Sequence, residues 1–468
     1  MFDAGRRSRW SPRDYIAFAR RPIYARAMRA LVMLAVFGVA ARARAEPLSA
    51  DDLARKNEGS YLTAVPLAAY SVDFGYGFGA RGYYYWNGER SDPRFARTPY
   101  LVRVFLNVFA TTLGLQYHWL DLDAPAVFDS PYRARAQLIF ARNINSNYFG
   151  FSDAGRAGLR FPGSATTYGS YDDYAAAQRR IAGGQAFTRY DQYDVMRPAA
   201  ILALERSLLD GRLKLVGGVG LSYVRIRDYT GTTVDATAAD GTATTAIMAP
   251  TRVREDCDRG LLVGCHGGRD DVLRLAIAYD TRDFEPDPNT GVYIDLSVDI
   301  GTVALGSEFT YARALFAARG FYSPFPERAD LVLAGRVLTQ VQSSGTPFFT
   351  MDVLPFVEDP RTGLGGHRTL RGFRQSRFVD HVMSAASGEL RWTFARTTIW
   401  RQKLAFIAVP FLDVGHAFDS LASVGIHDWR PSYGGAFRVS WNLATLGTFE
   451  YGRSSEGSGV YVNFGHMF

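Results

Sequence analysis

The predicted fold rests first on the stretch Val292-Tyr293-Ile294-Asp295-Leu296-Ser297-Val298-Asp299-Ile300. Apolar and polar residues alternate strictly along it, so an extended strand here has one apolar and one polar face. Residues 273–280 repeat the pattern, with Arg274 and Asp280 on the polar face. In a transmembrane barrel the apolar face meets lipid and the polar face lines the lumen. The charged faces therefore predict strands of a membrane barrel.

Turn signals divide the chain into short alternating segments. An even number of strands keeps both chain ends on the periplasmic side, as in single-chain bacterial barrels. We expect short periplasmic turns at 207–211, 284–290, 322–329 and 397–403, and long outer loops at 147–193, 227–269 and 343–383. The predicted fold is an all-β, transmembrane antiparallel β-barrel of about 16 strands, near residues 61–70, 75–86, 98–108, 112–121, 131–146, 194–206, 212–226, 270–283, 291–301, 306–321, 330–342, 384–396, 404–415, 432–442, 445–453 and 458–468.

The amino terminus has the features of an export signal. Arginines precede an apolar run from Ala30 to Ala41, and Ala43-Arg44-Ala45 follows as a small-x-small cleavage site. The run has 12 residues, whereas a membrane-spanning helix needs about 20. We therefore expect a signal peptide at 1–45, a lead-in at 46–60 and a barrel at 61–468; translation starts at Met1 or at Met28.

Removing this signal changes the charge balance. Residues 1–45 contain 10 Arg and 2 Asp, a net charge of +8, so the +7 of the whole chain becomes −1 for the remaining 43 basic and 44 acidic residues. A nucleic-acid partner is therefore not expected. The only cysteines, Cys257 and Cys265, are eight residues apart, which in an exported protein favours a small loop disulfide over a metal site.

The last ten residues indicate a specialised terminal strand. Val460, Val462, Phe464 and Phe468 fall on one face of the alternation, and the chain ends in phenylalanine. Barrel-assembly machineries recognise such a strand, so Phe464, Gly465 and Phe468 form a candidate assembly signal. The alternative is an ordinary final strand that happens to end in phenylalanine.

Patterns of catalytic residues are missing from the sequence. It contains no His-Glu-x-x-His, Gly-x-Ser-x-Gly, Cys-x-x-Cys or phosphate-loop motif. We expect no enzyme activity, no cofactor and no metal. An acidic group in one predicted outer loop is interpreted as solvated loop charge rather than a cation site; its members are Glu255, Asp256, Asp258, Asp270 and Asp271.

Two motifs resemble those of a known family. The stretch 363–374 contains Arg371-Gly372-Phe373, which resembles the Arg-Gly-Phe/Tyr signature of the BamA/TamA superfamily of outer-membrane insertases and transporters, also called bacterial surface antigens. The stretch 411–415, which contains Asp413, is similar to the family's Phe-x-Asp-x-Gly strand motif. The residues around Asp280 and those at 147–150 resemble a family turn and a family outer loop.

The resemblance implies that the loop carrying Arg371 folds back into the lumen and meets acidic residues on the inner wall. Alternation points Asp413 and Glu389 inward, so both are expected partners of Arg371. A planar guanidinium binds carboxylate through two parallel hydrogen bonds. The competing interpretation is a solvated loop arginine.

Function remains divided between two classes. The first is an insertase or translocase for proteins or lipids with a weak first-to-last-strand seam, where Pro66 lacks the N–H of a ladder bond. The second is a passive channel or structural barrel with a plugged lumen. Family insertases carry periplasmic polypeptide-transport-associated domains, for which the 15 residues before the first strand leave no room. Expected partners are outer-membrane lipid, the barrel-assembly machinery and client outer-membrane proteins; oligomeric state stays open.

Overall fold

The computed structural model describes residues 58–468, except 93, 96, 97, 99, 152–154, 284–286, 326–329, 359, 360, 400, 401 and 442–444. The predicted signal peptide at 1–45 and most of the lead-in lie outside the described residues. No helix of the described part is long and apolar enough to cross a membrane.

Sixteen long strands form one closed antiparallel sheet, which confirms the predicted fold class. Each strand pairs with its neighbour in sequence. The three-residue strand Gly267–Arg269 pairs with the strand Leu213–Arg227 in the same register as the following strand Val272–Asp280. The strands are β1 Gly59–Ser71, β2 Gly75–Gly88, β3 Val102–Thr111, β4 Leu115–Ala124, β5 Tyr132–Asn147, β6 Gln192–Leu208, β7 Leu213–Arg227, β8 Val272–Asp280, β9 Gly291–Gly301, β10 Tyr311–Tyr322, β11 Leu331–Gln342, β12 Val382–Ile399, β13 Gln402–Phe418, β14 Arg430–Trp441, β15 Thr445–Ser454 and β16 Gly457–Phe464.

The predicted strands correspond one to one with these sixteen, and the differences are at their ends. The expected strand at 98–108 begins only at Val102, and the expected strand at 306–321 begins only at Tyr311. The expected terminal strand at 458–468 stops at Phe464. Strand ends are set by where a neighbouring strand offers hydrogen bonds, which alternation within one segment does not reveal.

The barrel buries its polar face. On β9, Asp295 and Asp299 are fully buried, whereas the side chains of Ile294 and Leu296 are 37% and 42% exposed. Strands β11 and β12 also have a polar inner face and an apolar outer face, with Arg336 and Glu389 inside and Leu333 outside. An apolar outer surface and a polar interior are the arrangement that suits a wall surrounded by lipid.

The barrel closes through a short seam between β1 and β16. Every residue of β1 from Gly59 to Ser71 has a partner on β2. Toward β16, the pairs recorded for β1 are Tyr70 with Val462 and Ser71 with Tyr461. The first and last strands are therefore joined at one end of the barrel.

The longer connections carry small elements of their own. Helix α1 spans Tyr171–Gln178, α2 spans Arg252–Asp258 and α3 spans Phe348–Met351. Short strands form a three-stranded sheet from Gln185–Ala186, Thr233–Thr237 and Ala243–Met248, and a two-stranded sheet from Val353–Leu354 and Arg361–Thr362. Single 3-10 turns lie at Val127–Asp129, Val303–Leu305 and Leu421–Ser423.

Candidate functional site

The connection between β11 and β12, which we call the lumen loop (residues 343–381), enters the barrel. Its side chains Leu364, Leu370 and Phe373 are 0%, 0% and 1% exposed. They share an apolar cluster with inward-facing wall residues of β10, β11 and β12, namely Leu315, Ala317, Leu338 and Ala385. Burial of these apolar side chains fixes the loop inside the lumen.

Arg371 of the lumen loop lies at the centre of a buried ion cluster and is 0% exposed. Its Nε and Nη2 donate to Oδ2 and Oδ1 of Asp413, each at 2.9 Å, which is a bidentate pair. Its Nη1 donates to Oε1 of Glu389 at 2.9 Å and to Oε1 of Glu450 at 3.1 Å. The expected partners Asp413 and Glu389 are therefore brought to Arg371, and Glu450 joins them.

The backbone of the lumen loop next to Arg371 lies directly against the barrel wall. Gly372 has φ +96°, a conformation that L side chains rarely adopt. A Cβ added there would lie 2.8 Å from the main-chain carbon of Arg453 on β15. The N–H of Gly372 donates to the hydroxyl of Tyr461 at 3.1 Å. The Arg371 guanidinium carbon also lies 3.3 Å from the ring centroid of Phe411.

Two further arginines complete the cluster. Arg438 on β14 donates to both carboxylate oxygens of Glu389, at 3.0 and 2.8 Å, and to Glu450 at 3.2 Å. Arg391 on β12 donates to Glu389 at 2.9 Å. We call this set of three arginines and three carboxylates the ion cluster, formed by Arg371, Arg391, Arg438, Glu389, Asp413 and Glu450.

Sequence reasoning missed Glu450, Arg438 and Arg391 as members. The signal was present, because Glu450 lies between outward-facing aromatics and Arg438 follows outward-facing Phe437. Alternation places all three inside the lumen, but it does not say which lumen residues meet across the barrel. That meeting depends on strand register, which the closed sheet sets.

Equal numbers of opposite charges make the cluster compatible with burial. A buried charge without a partner costs several kcal/mol, whereas a paired and hydrogen-bonded one is tolerated. Removing one member leaves the others uncompensated. Arg371 therefore attaches the lumen loop directly to β12, β13 and β15, and Arg438 of β14 is bound to the same carboxylates.

The candidate assembly signal takes a different path from the one expected. Phe464 ends β16 and is 37% exposed on the outer face. Gly465 has φ +92°, and the chain beyond it turns into the barrel. Phe468 is 6% exposed and packs in the lumen, so the prediction that it shares the face of Phe464 is wrong.

The outer connections also differ partly from expectation. Cys257 and Cys265 are joined by a disulfide. The prediction that the acidic group is solvated is wrong for Asp256, Asp270 and Asp271, which are 7%, 5% and 0% exposed. Asp256 accepts from the Tyr148 hydroxyl at 2.8 Å, for example. No group of three or more potential metal ligands occurs in the described part of the chain.

Comparisons with known proteins agree with this geometry. A family model described as the Omp85 superfamily domain matches residues 160–458, and a domain of unknown function matches residues 43–101. No curated protein matches the chain in sequence. The solved structure of BamA from Haemophilus ducreyi lacking POTRA domains 1–3 has a TM-score of 0.53 and 13% identity, covering 87% of this chain and 70% of that one.

CdiB from Escherichia coli gives a TM-score of 0.46 and 10% identity, covering 89% of this chain and 69% of that one. At such identities the BamA structure establishes likeness of fold alone. The Omp85 match extends over more than half of the chain. The chain therefore belongs to the Omp85 superfamily.

Proposed function

We propose that this protein assists the insertion or translocation of proteins, or of lipids, at the bacterial outer membrane through its β1–β16 seam. The observation that carries the proposal is the limited pairing of that seam. Beyond Tyr70 and Ser71, no pairing with β16 is recorded for the described residues of β1.

An unpaired strand edge inside a membrane is costly. Each unsatisfied backbone group in hydrocarbon costs several kcal/mol, which is why membrane barrels normally close completely. An open edge is also a template on which another strand adds by main-chain hydrogen bonds. The edge of β1 along Gly59–Ala69 thus suits transient pairing with a strand of a client barrel.

Exposure along β1 supports the same conclusion. Both faces of the segment from Ser60 to Pro66 are exposed, in contrast to the strict alternation on β9. Leu62 is 72% exposed and Val65 is 43% exposed, although they lie on opposite faces. The inner side of β1 is therefore open to the lumen near the seam.

The filled lumen argues against a passive channel, and the weak seam argues against a purely structural barrel. The ion cluster and the lumen loop occupy the barrel interior, an arrangement that opposes free conduction. The alternative, a structural barrel with a plugged lumen, shares this feature but gives no reason for a weak seam. We also propose that the protein performs no catalysis. It is exported by a cleaved signal peptide, and it depends on the barrel-assembly machinery for its own insertion.

Reconstitution in liposomes tests the proposal. We expect purified protein to accelerate the insertion of an unfolded barrel client over protein-free liposomes, with small and flickering ion conductance. A Tyr70→Cys/Val462→Cys pair, made in a Cys257→Ser/Cys265→Ser background, should lock the seam and abolish the acceleration under oxidising conditions, because these residues are register partners.

The matched control places the disulfide in a continuous part of the wall. Phe449 and Val462 are register partners on β15 and β16, so Phe449→Cys/Val462→Cys should leave insertion unchanged. Steady conductance without acceleration, or equal insertion by the locked and reduced seam variants, would overturn the proposal in favour of a channel or structural role.

A further inference from the structure

A cavity of about 710 Å³ lies at the end of the barrel that carries the long outer connections. Its walls come from the turn between β1 and β2, the end of β5, helix α1, the three-stranded outer sheet and the lumen loop, which contribute for example Asp73, Asn147, Tyr171, Asp235 and Arg374. The volume falls in the range of small-molecule binding sites, roughly 300–1,000 Å³. Its size and its composite wall make the cavity a candidate binding site.

The charged side chains that line the cavity balance one another. Three are arginines and three are aspartates, namely Arg179, Arg189, Arg374, Asp73, Asp172 and Asp235. An anion such as phosphate would meet the carboxylates as well as the guanidiniums, and a cation would meet the guanidiniums as well as the carboxylates. This lining therefore disfavours a ligand with a net charge and suits a neutral one that both donates and accepts hydrogen bonds.

Arg374 is held in place at the wall and keeps donors for a ligand. Its guanidinium carbon lies 4.2 Å from the ring centroid of Tyr171, and its Nη1 donates to the main-chain oxygen of Val72 at 2.6 Å. The carboxylates of Asp73 and Asp172 lie 3.8 and 3.9 Å from its nitrogens, which is too far for a hydrogen bond. Its guanidinium makes no further hydrogen bond in the described part of the chain.

Two other charged side chains of the lining also have hydrogen-bonding capacity to spare. Within the described residues, the side chains of Arg179 and Asp235 form no hydrogen bond and no ion pair. Both residues are fixed through their main chains, because the oxygen of Arg179 accepts from the N–H of Thr237 at 2.8 Å and the oxygen of Asp235 accepts from the Thr188 hydroxyl at 2.8 Å. The cavity thus offers a donor and an acceptor on anchored segments.

We propose that this cavity binds a neutral sugar, such as the end of a short oligosaccharide. A sugar hydroxyl both donates and accepts, so neighbouring hydroxyls on one ring can accept from a guanidinium and donate to a carboxylate. The C–H groups of the ring find apolar surface at Leu113 and Ala175. The outer connections face the predicted cell surface, so the sugar comes from outside the cell. This site goes beyond the proposed function and does not depend on the seam.

Calorimetric titration of the purified protein tests the site. The detergent is lauryldimethylamine oxide, because a detergent with a sugar headgroup would compete for the cavity. The probes are maltose, lactose, cellobiose and N,N′-diacetylchitobiose, and the anionic comparisons are glucuronate and inorganic phosphate. At least one of the neutral disaccharides should bind with a Kd of about 1 mM or tighter, and it should bind more tightly than either anion.

Three variants assign the binding to the cavity. Arg179→Gln and Asp235→Asn should each raise the Kd about tenfold or more, because one hydrogen bond to a charged group is lost. Ala176→Trp should abolish binding, since Ala176 is an exposed residue of the lining and an indole there would fill the cavity. Arg180→Gln is the matched control, because Arg180 is also exposed and adjoins Arg179 but does not line the cavity. It should leave the Kd unchanged.

A heat-induced gel shift reports whether each variant is folded. The inference would be overturned if no neutral disaccharide bound to the unmodified protein, or if glucuronate or phosphate bound as tightly as the best sugar. It would also be overturned if none of the three folded cavity variants weakened sugar binding. Because no client protein takes part in the titration, these outcomes are separate from those of the seam experiment.

Discussion

The wall from β12 to β15 and the seam between β1 and β16 are built from the same alternating pattern, but they are held together differently. Along the wall, each strand is paired on both sides and the ion cluster ties four strands to the lumen loop. At the seam, β1 is paired fully on one side only. A repeating pattern therefore makes each strand, whereas pairing and buried contacts decide which part of the barrel can open.

The largest expected effect comes from removing the centre of the ion cluster. Arg371→Ala should cost about 3–5 kcal/mol, because Asp413 would remain buried without its partner and Glu389 and Glu450 would each lose one of theirs. The barrel should still form, but the lumen loop should lose its position and the acceleration of client insertion should fall. Urea unfolding followed by gel shift, and limited proteolysis within 343–381, measure these effects. If the lumen loop of this variant resisted proteolysis as in the wild type and activity were unchanged, the ion cluster would not be what holds the wall together.

Hydrogen exchange compares the two regions directly. Amides of β1 in Gly59–Ala69 that face β16 have no partner on that strand, whereas β13 of the wall is paired with both of its neighbours. We expect those β1 amides to exchange about a hundredfold faster or more, which corresponds to roughly 3 kcal/mol of opening free energy. Mass spectrometry of peptides from the two strands in detergent measures the difference. Equal protection would mean that the seam is as strong as the wall.

A smaller effect is expected from the glycine that brings the lumen loop against β15. Gly372→Ala should cost about 1–3 kcal/mol, because the new Cβ would meet the backbone of Arg453 and φ is strained for alanine. Gly388→Ala on β12 is the control, since a Cβ there meets nothing within 4 Å. Urea midpoints of both variants provide the measurement. A similar shift in both would indicate that the loop is not held by this close approach.

Loss of the disulfide is expected to have the smallest effect on the wall and on the seam, because it lies in an outer connection. Cys257→Ser/Cys265→Ser opens a ring of eight-residue separation in an outer connection. It should loosen that connection by about 2–3 kcal/mol and leave β1 exchange and the ion cluster unchanged. Exchange measurements on residues 252–269 and on β1 separate the local effect from any change in the barrel.

Much of the fold was predictable because lipid imposes a simple rule on each strand. Alternation located all sixteen strands and correctly assigned Glu389 and Asp413 to the lumen. It failed for Phe468, because a single left-handed glycine, Gly465, ends the alternation, and Met467 and Phe468 pack in the lumen. A glycine in a terminal strand does not announce such a turn, since the same residue also fits an extended strand.

The strands, their inner and outer faces and the Arg371 motif depend on residues close together in the chain, so they could be predicted without the structure. Three features depend on the folded barrel instead: Glu450, Arg438 and Arg391 join the ion cluster, Met467 and Phe468 pack inside the lumen, and the seam is short. These features bring together residues far apart in the sequence, and the closure and register of the whole barrel determine which of them meet.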